Sequence, residues 1–209
     1  AGERIIGLAG NDTIRAEAGD DTIDGGFGAD VIFGGDGFDT VDFANSASGV
    51  RASLASRIGQ GGDAAGDEYF GIEALRGSTF GDTLDGGLGD NLLDGRAGDD
   101  RLSGGAGADT LIGAEGDDIL TGGEGADLLS GGAGSDTADY STSTAAVAVS
   151  LLAGTASGGD AAGDSLVGIE NLTGGDHADV LEGDDGANIL RGGRGDDTLT
   201  GGAGHDVLE

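Results

Sequence analysis

Gly104-Gly105-Ala106-Gly107-Ala108-Asp109-Thr110-Leu111-Ile112 decides the fold, because the chain repeats this nine-residue pattern along most of its length. Glycine holds the first, second and fourth places, aspartate the sixth and an aliphatic residue the eighth. Working outward from this copy, units begin at residues 77, 86, 95, 104, 113, 122 and 131, upstream at 7, 16, 25 and 34, and downstream at 174, 183, 192 and 201. The blocks are therefore 7–42, 77–139 and 174–209. Of the fifteen eighth places only Ala138 is not Ile, Val or Leu. Between the blocks lie two 34-residue inserts, 43–76 and 140–173, which align without a gap at an offset of 97. Both carry Gly-Gly-Asp-Ala-Ala-Gly-Asp (61–67, 158–164) and Gly-Ile-Glu-x-Leu (71–75, 168–172), so a large unit has been duplicated.

The spacing has a direct physical reading. If the last three places form a short strand, the eighth side chain points to one face and the seventh and ninth to the other. One aliphatic per strand makes a thin core, which becomes stable only when copies stack and pair their backbones. The first six places must then reverse the chain, and glycine supplies the positive φ that a tight reversal needs. Two units make one coil of 18 residues, so turns of units n and n+2 stack. Outward carbonyls and one carboxylate per turn give a site lined only by oxygen. Such a donor set favours Ca²⁺ over Mg²⁺, which demands tighter octahedral geometry, and over Zn²⁺, which prefers nitrogen and sulfur.

Composition agrees. Of 209 residues 49 are glycine, and proline and cysteine are absent, which excludes collagen, disulfides and thiolate chemistry. Leu, Ile, Val and Phe make about 22% of the chain, close to the level at which charged chains stay disordered. The 40 acidic residues against nine arginines leave a formal charge of -31, which disfavours nucleic acid and anionic membrane surfaces and calls for a cationic partner. Pairing within blocks predicts about nine calcium ions, which would bring that charge to about -13. Folding coupled to calcium is the expectation.

The pattern Gly-Gly-x-Gly-x-Asp-x-aliphatic-x resembles the RTX nonapeptide of hemolysin-type calcium-binding proteins. The resemblance implies an all-β, right-handed parallel β-roll (a β-solenoid) with calcium between stacked turns. It also implies export by type I secretion and folding outside the cell. Carried across by residue, the carboxylate ligands would be Asp12, Asp21, Asp30, Asp39, Asp100, Asp109, Asp118, Asp127, Asp136, Asp197 and Asp206, with Asn91 and Asn188 as uncharged, weaker counterparts. Phe80 and His177 replace the fourth glycine in units 77–85 and 174–182, so Asp82 and Asp179 are left out.

The whole of 1–209 reads as one continuous roll, the inserts as two irregular coils each, with Ile72, Leu75, Ile169 and Leu172 in the core. Asp63, Asp67, Asp160 and Asp164 read first as solvated loop acids, with an extra cation site as the alternative. Glu73 and Glu170 could be taken for a glycosidase-like pair, but acid pairs arise everywhere in so acidic a chain. His177 and His205 read as surface turn residues. No catalytic site is expected, and no membrane insertion. The chain begins without Met and stops within a repeat, so it reads as part of a longer secreted protein of bacterial type. Uncapped end coils make end-to-end self-association an expectation. The functional expectation is a calcium-binding module that folds outside the cell and serves as a folding or secretion aid or stalk. The alternatives are an adhesin or matrix segment, or the accessory end of a secreted hydrolase or epimerase with its active site elsewhere.

Overall fold

The computed structural model describes residues 2–209. No α-helix occurs among them, and the only helical pieces are two 3-10 turns, Gly62–Ala64 and Gly159–Ala161. The last three places of each unit form strands, such as Thr13–Arg15, Thr22–Asp24 and Val31–Phe33. In the central block most strands run on through three places of the next unit, as in Thr83–Leu88 and Leu92–Ala97, and the turns themselves pair with the next coil.

Within the blocks successive strands alternate between two sheets, each of 12 strands. Within the blocks the pairing is parallel at an offset of 18 residues, Leu84 opposite Leu102 and Leu93 opposite Leu111. This is a parallel β-roll. Its core is the row of eighth-place side chains from both sheets, with Leu84, Leu93, Leu102, Leu111, Leu120 and Leu129 fully buried. Each such leucine contributes about 2–3 kcal/mol of hydrophobic stabilisation, and one per nine residues is a thin core. Ala138, the small exception in the row, pairs with Leu172 in the sheet, and both are fully buried.

The inserts add strands to the sheets, and Ile72, Leu75, Ile169 and Leu172 are all buried. Their path includes a reversal that the sequence pattern does not announce. In the first insert the chain runs ahead to Arg51–Ser53, which pairs with Thr83–Leu88, then doubles back through the antiparallel strand Ile58–Gln60 to Glu68–Phe70, which pairs with Val31–Phe33. Ala74–Arg76 then takes its place in the other sheet between Thr40–Asp42 and Leu92–Ala97. The second insert repeats this path with Ala148–Ser150, Thr155–Ser157, Ser165–Val167 and Asn171–Thr173. Seven units separate the inserts, and because that number is odd the second meander lies in the opposite sheet from the first.

Candidate metal centre

Just before the strand that follows a turn, the backbone N–H of the sixth-place residue finds no carbonyl in the parallel ladder. The sixth-place carboxylate of the next coil on the same flank fills that need. Asp12 N–H donates to Asp30 Oδ1 at 2.8 Å, Asp21 to Asp39 at 2.8 Å, Asp100 to Asp118 at 2.8 Å, Asp109 to Asp127 at 2.8 Å and Asp118 to Asp136 at 2.9 Å. Carboxylates are thereby stacked in a ladder along each flank, one rung per coil.

The second oxygen is left over. In Asp12, Asp21, Asp30, Asp39, Asp100, Asp109, Asp118, Asp127 and Asp136 the Oδ2 atom is buried and accepts no hydrogen bond. A buried polar atom without a partner costs about 1–3 kcal/mol, and more when charged. The same atom explains the first-place glycine, whose backbone φ is ordinary. A Cβ on Gly104, Gly113 or Gly122 would collide with the Oδ2 of its own unit's aspartate, and on Gly104 or Gly113 it would also meet the carbonyl of the first glycine one coil on. The second and fourth places have another reason. Gly105 and Gly107 sit at φ 107° and 132°, where a Cβ would run into the backbone of the previous coil. Leu8, Glu17, Arg96 and Ala114 hold the second place without glycine and are still forced to positive φ, 77°, 70°, 75° and 80°.

The sequence profile of the RTX calcium-binding nonapeptide repeat matches residues 4–41, 76–111, 103–138 and 173–208, well over half of the chain. The chain belongs to the RTX calcium-binding nonapeptide repeat family. Among curated proteins none matches it. RTX repeats bind Ca²⁺, and the donors present fit that ion: a buried, unanswered carboxylate oxygen beside inward backbone carbonyls, with no nitrogen or sulfur donor. Among the described residues no three His, Cys, Asp or Glu side chains converge, so carbonyl oxygens must supply much of any shell. When bound, calcium would supply the counter-charge that each rung lacks.

Several of these buried carboxyls hold their protons above the ordinary carboxylate range. Burial, aided by neighbouring carboxylates, pushes Asp100 up to about 7 and Asp127 and Asp136 up to about 6, against the ladder N–H bonds that pull them down. Burial likewise raises Asp30, Asp39, Asp109 and Asp118.

The sixth places are not equivalent. Asp197 and Asp206 carry rungs near the last coil, accepting from Asp179 N–H at 2.9 Å and Asn188 N–H at 3.1 Å, and both are half-buried. Asn91 Oδ1 accepts Gly87 N–H at 2.8 Å and Asn188 Oδ1 accepts Asp184 N–H at 2.8 Å, while their amides donate to the carbonyls of Glu73 and Glu170. Each asparagine thus spends its oxygen within its own turn. Asp82 and Asp179 carry rungs, Oδ1 accepting Val50 N–H at 2.7 Å and Val147 N–H at 2.9 Å, but spend Oδ2 within their own turns, on Ser78 N–H at 2.6 Å and Gly175 N–H at 2.7 Å.

Four ladder members lie in the inserts, outside the repeat pattern. Asp67 Oδ1 accepts Asp30 N–H and Asp164 Oδ1 accepts Asp127 N–H, both at 2.9 Å. Glu73 Oε2 accepts Asp39 N–H and Glu170 Oε2 accepts Asp136 N–H, again at 2.9 Å. Asp67 and Asp164 are buried, not solvated loop acids, and each takes a tyrosine hydroxyl on Oδ2, from Tyr69 at 3.5 Å and Tyr140 at 3.0 Å. The signal that could have exposed these rungs is the recurrence of both acids at the 97-residue offset, directly before a buried-centre strand each time. His177 is half-buried and His205 exposed in their turns.

Proposed function

We propose that this RTX roll is the calcium-gated folding module of a secreted protein, taking about nine ions along its two flanks and acting as a folding aid or stalk outside the cell. The observation that supports this is the set of nine buried Oδ2 atoms without partners, all at sixth places. The ligands proposed are those aspartates with Asp197 and Asp206, joined by carbonyls of the first four places. Asn91 and Asn188 are the weakest members of the set, because an oxygen already holding a backbone N–H has less to give a cation. With a core of one aliphatic per nine residues, the compact chain depends on neutralising its rungs.

Circular dichroism of the chain in excess EGTA and in millimolar calcium at pH 7.5 tests the proposal. The expected outcome is a large gain of strand signal on adding calcium, reversed by the chelator. Equal strand content in both would overturn it.

A further inference from the structure

We infer that the contracted turns Gly71-Ile72-Glu73 and Gly168-Ile169-Glu170 each complete a further calcium site with the regular turn one coil before them, 34–39 and 131–136. The ion rows would then cross one seam at each insert instead of stopping there. This rests on the calcium reading above and extends it to residues that no nonapeptide contains.

A regular turn spends six residues from its first glycine to its aspartate. Here three suffice, from Gly71 to Glu73 and from Gly168 to Glu170, before the strands Ala74–Arg76 and Asn171–Thr173 begin. The shorter backbone is matched by a side chain one methylene longer. Glu73 Oε2 and Glu170 Oε2 make the same bond to the preceding rung that aspartate Oδ1 makes elsewhere. That leaves Oε1 as the counterpart of the unpartnered Oδ2.

The glycines correspond as well. A Cβ on Gly34 would meet both the Gly71 carbonyl and Asp39 Oδ2, and on Gly131 both the Gly168 carbonyl and Asp136 Oδ2. Gly104 has the same two kinds of neighbour, the Gly122 carbonyl and Asp109 Oδ2. The Gly71 and Gly168 carbonyls thus stand where a first-place carbonyl would, although the two residues sit at φ 60° and 59° instead of the ordinary φ of a first place. The Gly168 carbonyl also accepts Gly132 N–H at 3.2 Å, which leaves it a second lone pair. Asp39 and Asp136 are fully buried, and their Oδ2 atoms aim into this space with no partner. One oxygen from each of two carboxylates, Asp39 Oδ2 with Glu73 Oε1 or Asp136 Oδ2 with Glu170 Oε1, and a glycine carbonyl make a hard-oxygen set suited to Ca²⁺. On the other flank Asp67 and Asp164 use the corresponding oxygen on a tyrosine, so the two seams of each insert are chemically distinct.

The test counts calcium ions per chain, by flow dialysis, in the parent and in the double variant Glu73→Gln/Glu170→Gln, which keeps an oxygen for the ladder N–H. At the calcium concentration that just saturates the parent, the variant should hold about two fewer ions, with unchanged strand signal. If the double variant does not fold in calcium, each single variant should lose about one ion. A variant with the parent's ion count and midpoint overturns the inference and leaves the calcium reading standing. A parent that binds no calcium refutes the calcium reading and this inference with it.

Discussion

The two inserts share a path and differ in how they satisfy the same buried acid. In the first, Tyr69 on the strand Glu68–Phe70 reaches Asp67, with Phe43 packed edge-on against its ring at 6.4 Å. In the second, the residue aligned with Tyr69 is Leu166 and the one aligned with Phe43 is Tyr140, whose hydroxyl reaches Asp164 from the other direction. The exchange extends to a third position. A Cβ on Gly59 would strike the Tyr69 hydroxyl, and its aligned residue Ala156 carries that methyl where leucine stands in for tyrosine. A hydroxyl supplied twice, from two places in the chain, gives this oxygen a partner that is not a metal. The regular turns lack any such donor, and their Oδ2 atoms stay unanswered.

If that contrast is right, the largest effect belongs to a regular rung. Asp118→Ala removes both the acceptor for Asp100 N–H and a proposed ligand shared by two sites, and should cost about 2–4 kcal/mol of calcium-dependent stability. Asp206→Ala, on the last coil, should cost less than about 1 kcal/mol. Calcium-dependent thermal unfolding compares them, and equal losses would break the stacked-ladder picture.

The pH dependence without metal comes next. Asp67 and Asp100 are raised to about 7 and Asp127 and Asp136 to about 6, chiefly by burial, so the folded chain holds protons that the unfolded chain releases near pH 4. Their contribution is fully present below about pH 4 and is lost as pH climbs to 7. In calcium-free buffer the melting temperature should therefore fall between pH 4 and 7, whereas calcium affinity should rise over the same range because the ion needs the deprotonated form. A metal-free melting temperature that rises with pH would contradict the assignment.

The smallest effects separate the inserts themselves. Tyr140→Phe should cost about 1–2 kcal/mol by stripping a short hydrogen bond from buried Asp164, and Tyr69→Phe less than about 1 kcal/mol because its contact is longer. Adding Leu166→Tyr and Ala156→Gly to Tyr140→Phe should recover part of the loss by rebuilding the first insert's arrangement in the second. Chemical denaturation in saturating calcium measures all three, and no recovery would mean that the exchange is coincidental.

The strands, the 18-residue coil and the buried eighth places were readable because a single side-chain rule repeats at every unit. Phe80 and His177 break the turn pattern in the sequence, and in those two units Asp82 and Asp179 each spend Oδ2 on an N–H of their own turn. The antiparallel reversal was not readable, because strands as short as Ile58–Gln60 carry too few residues for alternation to reveal direction. Nor was the burial of Asp67 and Asp164, since a Gly- and Asp-rich loop looks solvated until the tyrosine and the ladder N–H that cover the acid are seen in place.

The odd count of nonapeptides between the inserts has a mechanical outcome. Each insert contributes three strands to one sheet and one to the other, a local mismatch of about 10 Å at ordinary strand spacing. Because the second mismatch falls on the opposite face, the wedges oppose each other and both sheets finish with 12 strands. Adding or deleting one nonapeptide in the middle would set both wedges on the same side, and the rod would have to curve.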